Sequence, residues 1–466
     1  MRFLMKFGGT SVADGPSLSR VVDIVQSTYQ SGAEVAVVVS AQRGVTDQLI
    51  TMATELAASP DASGIEPFIN SLRVRHGKVL LESAEDYADE VGLLLEDQLC
   101  NLESILRAVH NLRELTPRSR DYIITFGERL NSLVVCAVFR QHGLPSTTLD
   151  GCEAGIITTQ NHGEAMALPE SEAKIRNRVI PLLADTIPVI MGFMGCTEHG
   201  VVTTLGRSGS DYSAAIIGAA VDADEILIWT DVDGIMTSDP RLIHDARVIS
   251  SISYLEVMEL SYFGAKVMHP RSIEPAMKKN IVVRVKNTFN PSHPGTAIVR
   301  GETRDSRVVK ALTYIEKVAM VNICGAQMIG RPGVAKAIFS LLADREVNVM
   351  MISQGSSEAN ITLVIEESQE HTAREALSVL VNQGMVRQVT TNRDVCAVAV
   401  VGAGMAGAKG TGGRIFSALG QGGINVMMIT QGSSEVNISF VVKQEDGPKA
   451  MRILHEEFRL SEEDNE

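Results

Sequence analysis

Closely spaced cysteines are missing from this chain. Its six cysteines stand at positions 100, 136, 152, 196, 324 and 396, and none forms the CxxC spacing of a metal or redox pair. They read as buried apolar thiols. The ten histidines are scattered as well, without metal-ligand spacing, so no metal ligand is expected from the protein itself. A basic excess is also missing. The net charge of -14 argues against a nucleic-acid partner, which wants a basic surface. An acidic protein can still hold anions where a few Lys and Arg residues are focused in one cleft. No apolar run of bilayer length is seen, and the opening MRFLMKFGGTS lacks the long apolar stretch of a signal peptide. A cytoplasmic location with no membrane partner is therefore expected. Aromatics make up only 4% of the residues.

What is present is Val, Ile, Leu and Ala in quantity, which suits α/β layers whose parallel strands are buried on both faces. At 466 residues the chain calls for at least two domains. Phe3-Leu4-Met5-Lys6-Phe7 reads as a strand broken by Gly8 and Gly9. Thr10 or Ser11 is expected to cap a helix from about Ser17 to Gln30, and Val35–Val39 is a second buried strand. Further strands are expected at 146–149, 187–192 and 225–229, with helical patterns between them, which makes a mainly parallel sheet. Residues from about 46 to 109, rich in Leu and Glu, read as a helical excursion. Residues 287–305, with Pro291, Pro294, Gly295 and Gly301, read as a linker.

The remainder repeats itself. Val349-Met350-Met351-Ile352-Ser353-Gln354-Gly355-Ser356-Ser357-Glu358 returns 77 residues later as Val426-Met427-Met428-Ile429-Thr430-Gln431-Gly432-Ser433-Ser434-Glu435. The same offset links Gly325 to Gly402, Gly333 to Gly410 and Phe339 to Phe416, with about half of the aligned positions identical. Two copies of this size mean paired small domains, since solenoids need more and shorter units. Each copy reads strand, Gly-rich loop, helix, strand, turn, strand, helix. The first is followed by a further strand at 386–391, while the second ends in its helix. The β-like run 308–315 could supply the missing strand. The first module, about 316–392, would then be inserted into the second, about 305–315 plus 393–466.

Several strings carry chemistry. In Lys6-Phe7-Gly8-Gly9-Thr10-Ser11 the glycines admit a phosphate close to the backbone and Lys6 supplies a fixed charge. The lysine precedes the glycines, so this is not a Walker A loop. Ser40-Ala41-Gln42-Arg43-Gly44-Val45-Thr46 follows the second strand, where ligands meet the carboxyl ends of parallel strands. Phe126-Gly127-Glu128-Arg129 opens an apolar helix. Leu205-Gly206-Arg207-Ser208-Gly209-Ser210-Asp211-Tyr212 combines an Arg able to clamp a carboxylate with an Asp able to organise ammonium groups. Trp229-Thr230-Asp231-Val232-Asp233-Gly234 follows a strand, Thr237-Ser238-Asp239-Pro240-Arg241 comes soon after, and Phe263-Gly264-Ala265-Lys266-Val267 supplies a second lysine.

In this order the strings resemble the aspartokinases of the amino acid kinase family, and the repeat resembles the paired ACT modules that follow their catalytic domain. The resemblance covers essentially the whole chain. It implies an α/β fold: a mainly parallel, open-sheet kinase domain with a helical excursion, over 1–300, and two α+β ACT modules of βαββαβ form over 301–466. The implied reaction is ATP plus L-aspartate giving ADP and 4-phospho-L-aspartate, with Mg²⁺ accompanying ATP. This is the first step toward lysine, threonine and methionine.

The resemblance also implies residue roles. Lys6, Asp211 and Lys266 would be catalytic. Phe7, Gly8, Gly9, Ser40, Thr230, Asp231, Met236, Arg241 and Val267 would join Lys6 and Lys266 around ATP. Ser40, Thr46, Glu128, Arg207, Ser208 and Asp211 would form the aspartate pocket, with Glu128 taking the α-ammonium. Met328, Gly333, Asn348, Gln354 and Gln431 would form the effector sites. Lysine-sensing aspartokinases have an Asp near the position of Met350, and a Met cannot pair with an ammonium. Threonine is therefore the expected inhibitor and lysine the second choice. ACT pairing implies a homodimer or larger. The chain departs from the family's usual residues at Asp47 (usually Asn), Ser208 (usually Gly) and Met236 (often Tyr). A Ser at 208 fits the loop readily only if its φ is negative, and the family pattern leaves the backbone there open. The sequence stops soon after the second repeat, so a fused homoserine dehydrogenase is not expected. Two rival readings remain: another carboxylate, carbamate or nucleotide kinase of the same fold, and an inactive ACT-type amino-acid sensor.

Overall fold

Strand β1 (Arg2–Phe7) runs through the middle of an eight-stranded sheet. Its four last residues are buried, which is why the sequence there is an apolar run rather than an alternation. The computed structural model describes residues 1–263, 268–301, 307–355 and 358–462. They fall into two units, the first being Met1–Ile235, Ser250–Tyr254 and Met268–Gly301.

In the first unit the strands are β2 (Glu34–Val39), β3 (Ser146–Leu149), β4 (Ile187–Met191), β5 (Met194–Cys196), β6 (Val202–Thr204), β7 (Glu225–Thr230), β8 (Ser251–Ser253), β9 (Val282–Asn287) and β10 (Thr296–Val299). The large sheet has the order β3-β4-β2-β1-β7-β9-β10-β8, and β5 and β6 form a separate hairpin. All of its pairings are parallel except β9 with β10. Strand β10 lies inside the stretch expected to be linker. Its Ile298 is buried, and its buried Thr296 accepts from the Ile235 amide at 2.8 Å, so burial and pairing prevail over the turn-forming residues before it.

The helices are α1 (Gly15–Gln30), α2 (Val45–Ala58), α3 (Ile65–Ser83), α4 (Ala88–Leu112), α5 (Pro117–Ile124), α6 (Phe126–Gln141), α7 (Glu170–Leu183) and α8 (Gly209–Ala220), with a further helix at Pro270–Lys279. The cap of α1 is Asp14, whose carboxylate accepts from the Ser17 amide at 2.9 Å, and not Thr10 or Ser11. Val91, Leu95, Leu99, Leu102, Leu106 and Val109 make one buried stripe along α4. Each such side chain contributes roughly 1.5–3 kcal/mol of burial, which holds the helical excursion as a layer of the core. The stretch Pro117–Gln141 is long and apolar enough to cross a membrane by length and composition, contrary to the sequence reading; 83% of its window is buried, as in a core helix.

The second unit has the two modules. Strands β12 (Val318–Cys324), β13 (Val349–Gln354), β14 (Asn360–Glu366) and β15 (Gln388–Asn392) form one antiparallel sheet, and β11 (Ala311–Ile315), β16 (Val395–Val401), β17 (Met428–Gln431) and β18 (Asn437–Lys443) form the other. Strand β11 pairs with β16, from Ala311 opposite Val401 to Ile315 opposite Ala397. A strand that precedes the first module therefore completes the sheet of the second. Residues 236–249 and 255–263 also belong to this unit, on the N-terminal side of the boundary expected near 300. Packing explains this: Ile243 is in the core of the second module with Leu242 and Ala246 against it. The Leu312 amide also donates to the Thr237 carbonyl at 2.8 Å.

Candidate active site

The carboxyl ends of β1, β2 and β7 meet at the Gly-rich turn. The Gly8 amide donates to the Trp229 carbonyl at 3.0 Å and the Ser40 amide to the Phe7 carbonyl at 3.2 Å. The Arg43 amide donates to Gly9 at 3.1 Å. A Cβ at Gly9 would stand 2.7 Å from the Ala41 carbonyl oxygen, so the two loops approach as closely as only glycine permits.

Beside this turn lies a cavity of about 360 Å³. Lys6, Ser40, Thr46, Glu128, Arg207, Ser208 and Asp211 all line it. The residues singled out for catalysis and for the aspartate pocket thus come together from β1, the β2 loop, α2, α6 and the start of α8, apart from Lys266. Lys6 Nζ is 2.5 Å from Asp211 Oδ1. Gln42, Arg43, Gly44, Asp47 and Phe193 also line the cavity. The first four stand in or beside quoted strings, but nothing in the sequence marks Phe193. It has a positive φ of 71°, and a Cβ on Gly209 would collide with its ring at 2.5 Å.

Glu128 sits in the first turn of α6 and is fully buried. Its Oε1 accepts from the Ala41 amide at 3.1 Å, while its Oε2 has no hydrogen-bond partner among the described residues. Burial pushes its carboxyl up to about 8, opposed by the Ala41 and Glu128 amides and the charge of Lys6. An unpartnered buried acceptor facing a cavity fits a cationic donor. The neighbouring loop is pinned from α6 and α3: Asn131 Nδ2 donates to the Ser40 carbonyl at 2.7 Å. Arg75 donates to Gln42 Oε1 at 2.8 Å and to the Arg43 carbonyl at 2.7 Å.

Ser208 has φ 55° and ψ 29°, so the negative φ under which a serine fits readily is not the one adopted. The chain must turn sharply after Gly206 to start α8 at Gly209, and the turn requires left-handed backbone, at a cost of roughly 1–2 kcal/mol for a residue with a side chain.

The nucleotide candidates are less gathered. Thr230 ends β7 beside β1 and Asp231 follows it, with the Thr230 carbonyl accepting from the Thr288 amide at 2.9 Å, but neither lines the cavity. Trp229 stacks on Phe7 with ring centroids 6.0 Å apart. Met236 and Arg241 belong to the second unit, where Arg241 pairs with Asp239 at 2.5 Å. Lys266 and Val267 lie outside the described residues. Among the described residues no group of three or more His, Cys, Asp or Glu could hold a metal ion.

In the first module a second cavity, of about 340 Å³, is lined by Met328, Gly333, Gln354 and Glu358 among others. Glu358 accepts from the Gly330 amide at 2.9 Å, and Glu435 accepts from Gly407 at 2.7 Å in the second module. Asn348 is not part of this lining; its amide donates to Gln369 Oε1 at 3.2 Å. Gln431 ends β17 of the second module.

Comparison with known proteins agrees along the whole chain. The amino acid kinase family matches residues 1–287 and the ACT domain matches residues 321–379 and 398–458. The maize bifunctional aspartokinase/homoserine dehydrogenase 1 is 36% identical over 98% of this chain, which spans 50% of that relative. Aspartokinase 3 of Arabidopsis thaliana is 32% identical over 98% of this chain and 81% of its own length. The structure of E. coli aspartokinase III with aspartate and ADP, in the R-state, superimposes with a TM-score of 0.82 at 27% identity, covering 98% of this chain and 99% of that one. Its T-state with lysine and aspartate gives 0.79 at 28% identity over 98% and 99%.

Proposed function

The chain belongs to the amino acid kinase family, among the aspartokinases, and we propose that it transfers the γ-phosphoryl group of ATP to the side-chain carboxylate of L-aspartate. The observation that carries this reading is the convergence of Lys6, Ser40, Thr46, Glu128, Arg207, Ser208 and Asp211 on one cavity.

A carboxylate oxygen of aspartate attacks the γ-phosphorus. The bond from that phosphorus to the bridging oxygen breaks, and ADP leaves with the electron pair. No general base is required, because a carboxyl of ordinary pKa, about 3.9, is already ionised. The protein's task is in-line placement and neutralisation of charge. Lys6 supplies charge to the transferring phosphoryl group and Asp211 holds the Lys6 ammonium. Arg207 clamps the α-carboxylate with its fork of donors, the free Oε2 of Glu128 takes the α-ammonium, and Ser40, Thr46 and Ser208 complete the pocket. Phe7, Gly8, Gly9, Thr230 and Asp231 form the nucleotide side; Met236, Arg241, Lys266 and Val267 join it on the family resemblance alone. Mg²⁺ entering with ATP would be carried mainly by phosphate oxygens and would offset their charge.

A coupled ADP-release assay with aspartate, glutamate, N-acetylglutamate and carbamate tests the reading. Release with aspartate alone is expected. Release with another acceptor selects a different kinase of the fold, and effector binding without any release selects an inactive sensor.

The same proposal extends to regulation. Gln354 lines the cavity of the first module, and a neutral amide can bond both a hydroxyl and an amino-acid backbone. Met350 offers no charge to a lysine ammonium. Threonine is thus the favoured feedback inhibitor and lysine the second, placing the enzyme at the head of lysine, threonine and methionine synthesis. Pairing of ACT modules between two copies would make it at least a homodimer.

A further inference from the structure

Asp121 lies in α5, is 1% exposed, and does not line the active-site cavity. Its carboxylate nevertheless collects four donors from two other segments. Oδ2 accepts from His162 Nδ1 at 2.7 Å, from the Gly163 amide at 3.1 Å and from the Thr204 amide at 3.1 Å. Oδ1 accepts from the Thr204 hydroxyl at 2.6 Å. A buried carboxylate is costly unless its lone pairs are filled, and hydrogen bonds to a charged group are stronger than those between neutral groups. Such a hub fixes the two segments relative to each other.

Those segments set the place of Arg207. Thr204 ends β6, and its carbonyl accepts from Ala165 at 2.9 Å. The Leu205 amide then donates to the Phe193 carbonyl at 2.9 Å. At Gly206, which has φ +77°, a Cβ would stand 2.9 Å from the Gly163 carbonyl oxygen. The 162–163 turn is therefore the floor on which Gly206 rests, and Asp121 ties that floor to Thr204. Arg207 comes next and is exposed to the cavity.

We infer that Asp121 is a positioning residue that aims Arg207 into the cavity by clamping Thr204 to the His162–Gly163 turn. It touches no substrate; it acts through Gly206 and Arg207. Its kinetic consequence rests on the reading of Arg207 as the clamp for aspartate.

The test uses D121N and T204V in the full chain. D121N keeps the shape but replaces one acceptor by a donor, and T204V removes one donor. Both are expected to raise the KM for aspartate, D121N at least tenfold and T204V about threefold, with the KM for ATP unchanged and kcat within threefold. A shift in thermal midpoint with an unchanged aspartate KM, or equal rises in both KM values, overturns the inference. If D121N does not fold, T204V decides by the same criteria. A second readout needs no turnover: peptide-mapped tryptic cleavage after Arg207 should quicken in both variants relative to the unaltered chain. Unchanged cleavage also overturns the inference. Absence of aspartate-dependent ADP release from the unaltered chain would instead overturn the proposed function, while the cleavage result would still decide the role of Asp121.

Discussion

Lys6 Nζ and Asp211 Oδ1 stand 2.5 Å apart, with side chains 11% and 12% exposed. Lys6 belongs to β1 and Asp211 to the first turn of α8, far apart in sequence. Removing one partner of such a pair leaves a poorly solvated charge, at a cost of roughly 3 kcal/mol. K6A is expected to lower kcat by about two to four orders of magnitude, with the circular dichroism spectrum unchanged. D211N should lower kcat as well, and the double variant should be little worse than K6A alone, because the two act as a unit. Additive losses in the three sets of kinetics would separate their roles.

If Glu128 takes the aspartate ammonium as proposed, binding should depend on pH. With its carboxyl near 8, the empty pocket holds it neutral at pH 7, whereas an ammonium partner demands the carboxylate. Binding therefore expels a proton. The KM for aspartate should fall as pH rises from 6 to 8, by up to about tenfold per unit, and level off above. E128Q should bind more weakly and lose this slope. For stability the sign is opposite: a carboxyl raised in the folded state favours folding at low pH. That advantage is lost as pH climbs from the ordinary value through about 8. Thermal melts of the ligand-free chain should show E128Q gaining on the unaltered chain as pH rises.

Ser208 occupies a left-handed conformation that glycine adopts without strain. S208G should raise the stability of the first unit by about 1 kcal/mol, seen as a higher thermal midpoint. S208V, β-branched, should lower it by more. A midpoint that falls in S208G would mean that the serine hydroxyl is the stronger influence.

Gln354 lines the cavity of the first module, and the proposed feedback site is tested there. Q354A is expected to raise the concentration of threonine giving half-inhibition by at least tenfold, with uninhibited kcat unchanged. Titration of ADP release with threonine and, separately, with lysine checks this. Equal inhibition of both proteins by threonine removes Gln354 from the effector site. Inhibition by lysine alone reverses the choice of effector.

Much of the site was legible in sequence because each string combined a glycine or small residue, needed for close backbone approach, with a charged residue otherwise out of place in an apolar setting. Phe193 and Asp121 had no such signal. Phe193 matters through a positive φ and a ring contact, and Asp121 through donors 41 to 83 residues away. Residues 236–249 looked like a continuation of the first domain, but their apolar side chains fill the core of a module that begins far along the chain.

The sequence by itself determined the alternation of strands and helices, the two copies of the repeat, and the residue strings that line the cavity, since these depend on local pattern and composition. Only the tertiary structure decided that Glu128 keeps one oxygen without a hydrogen-bond partner among the described residues, that Ser208 turns left-handed and that β11, the strand the repeat had assigned to the second module, pairs with β16 in the register that sets Ala311 opposite Val401. Burial, backbone torsion and strand register arise when distant segments meet, and no local pattern encodes them.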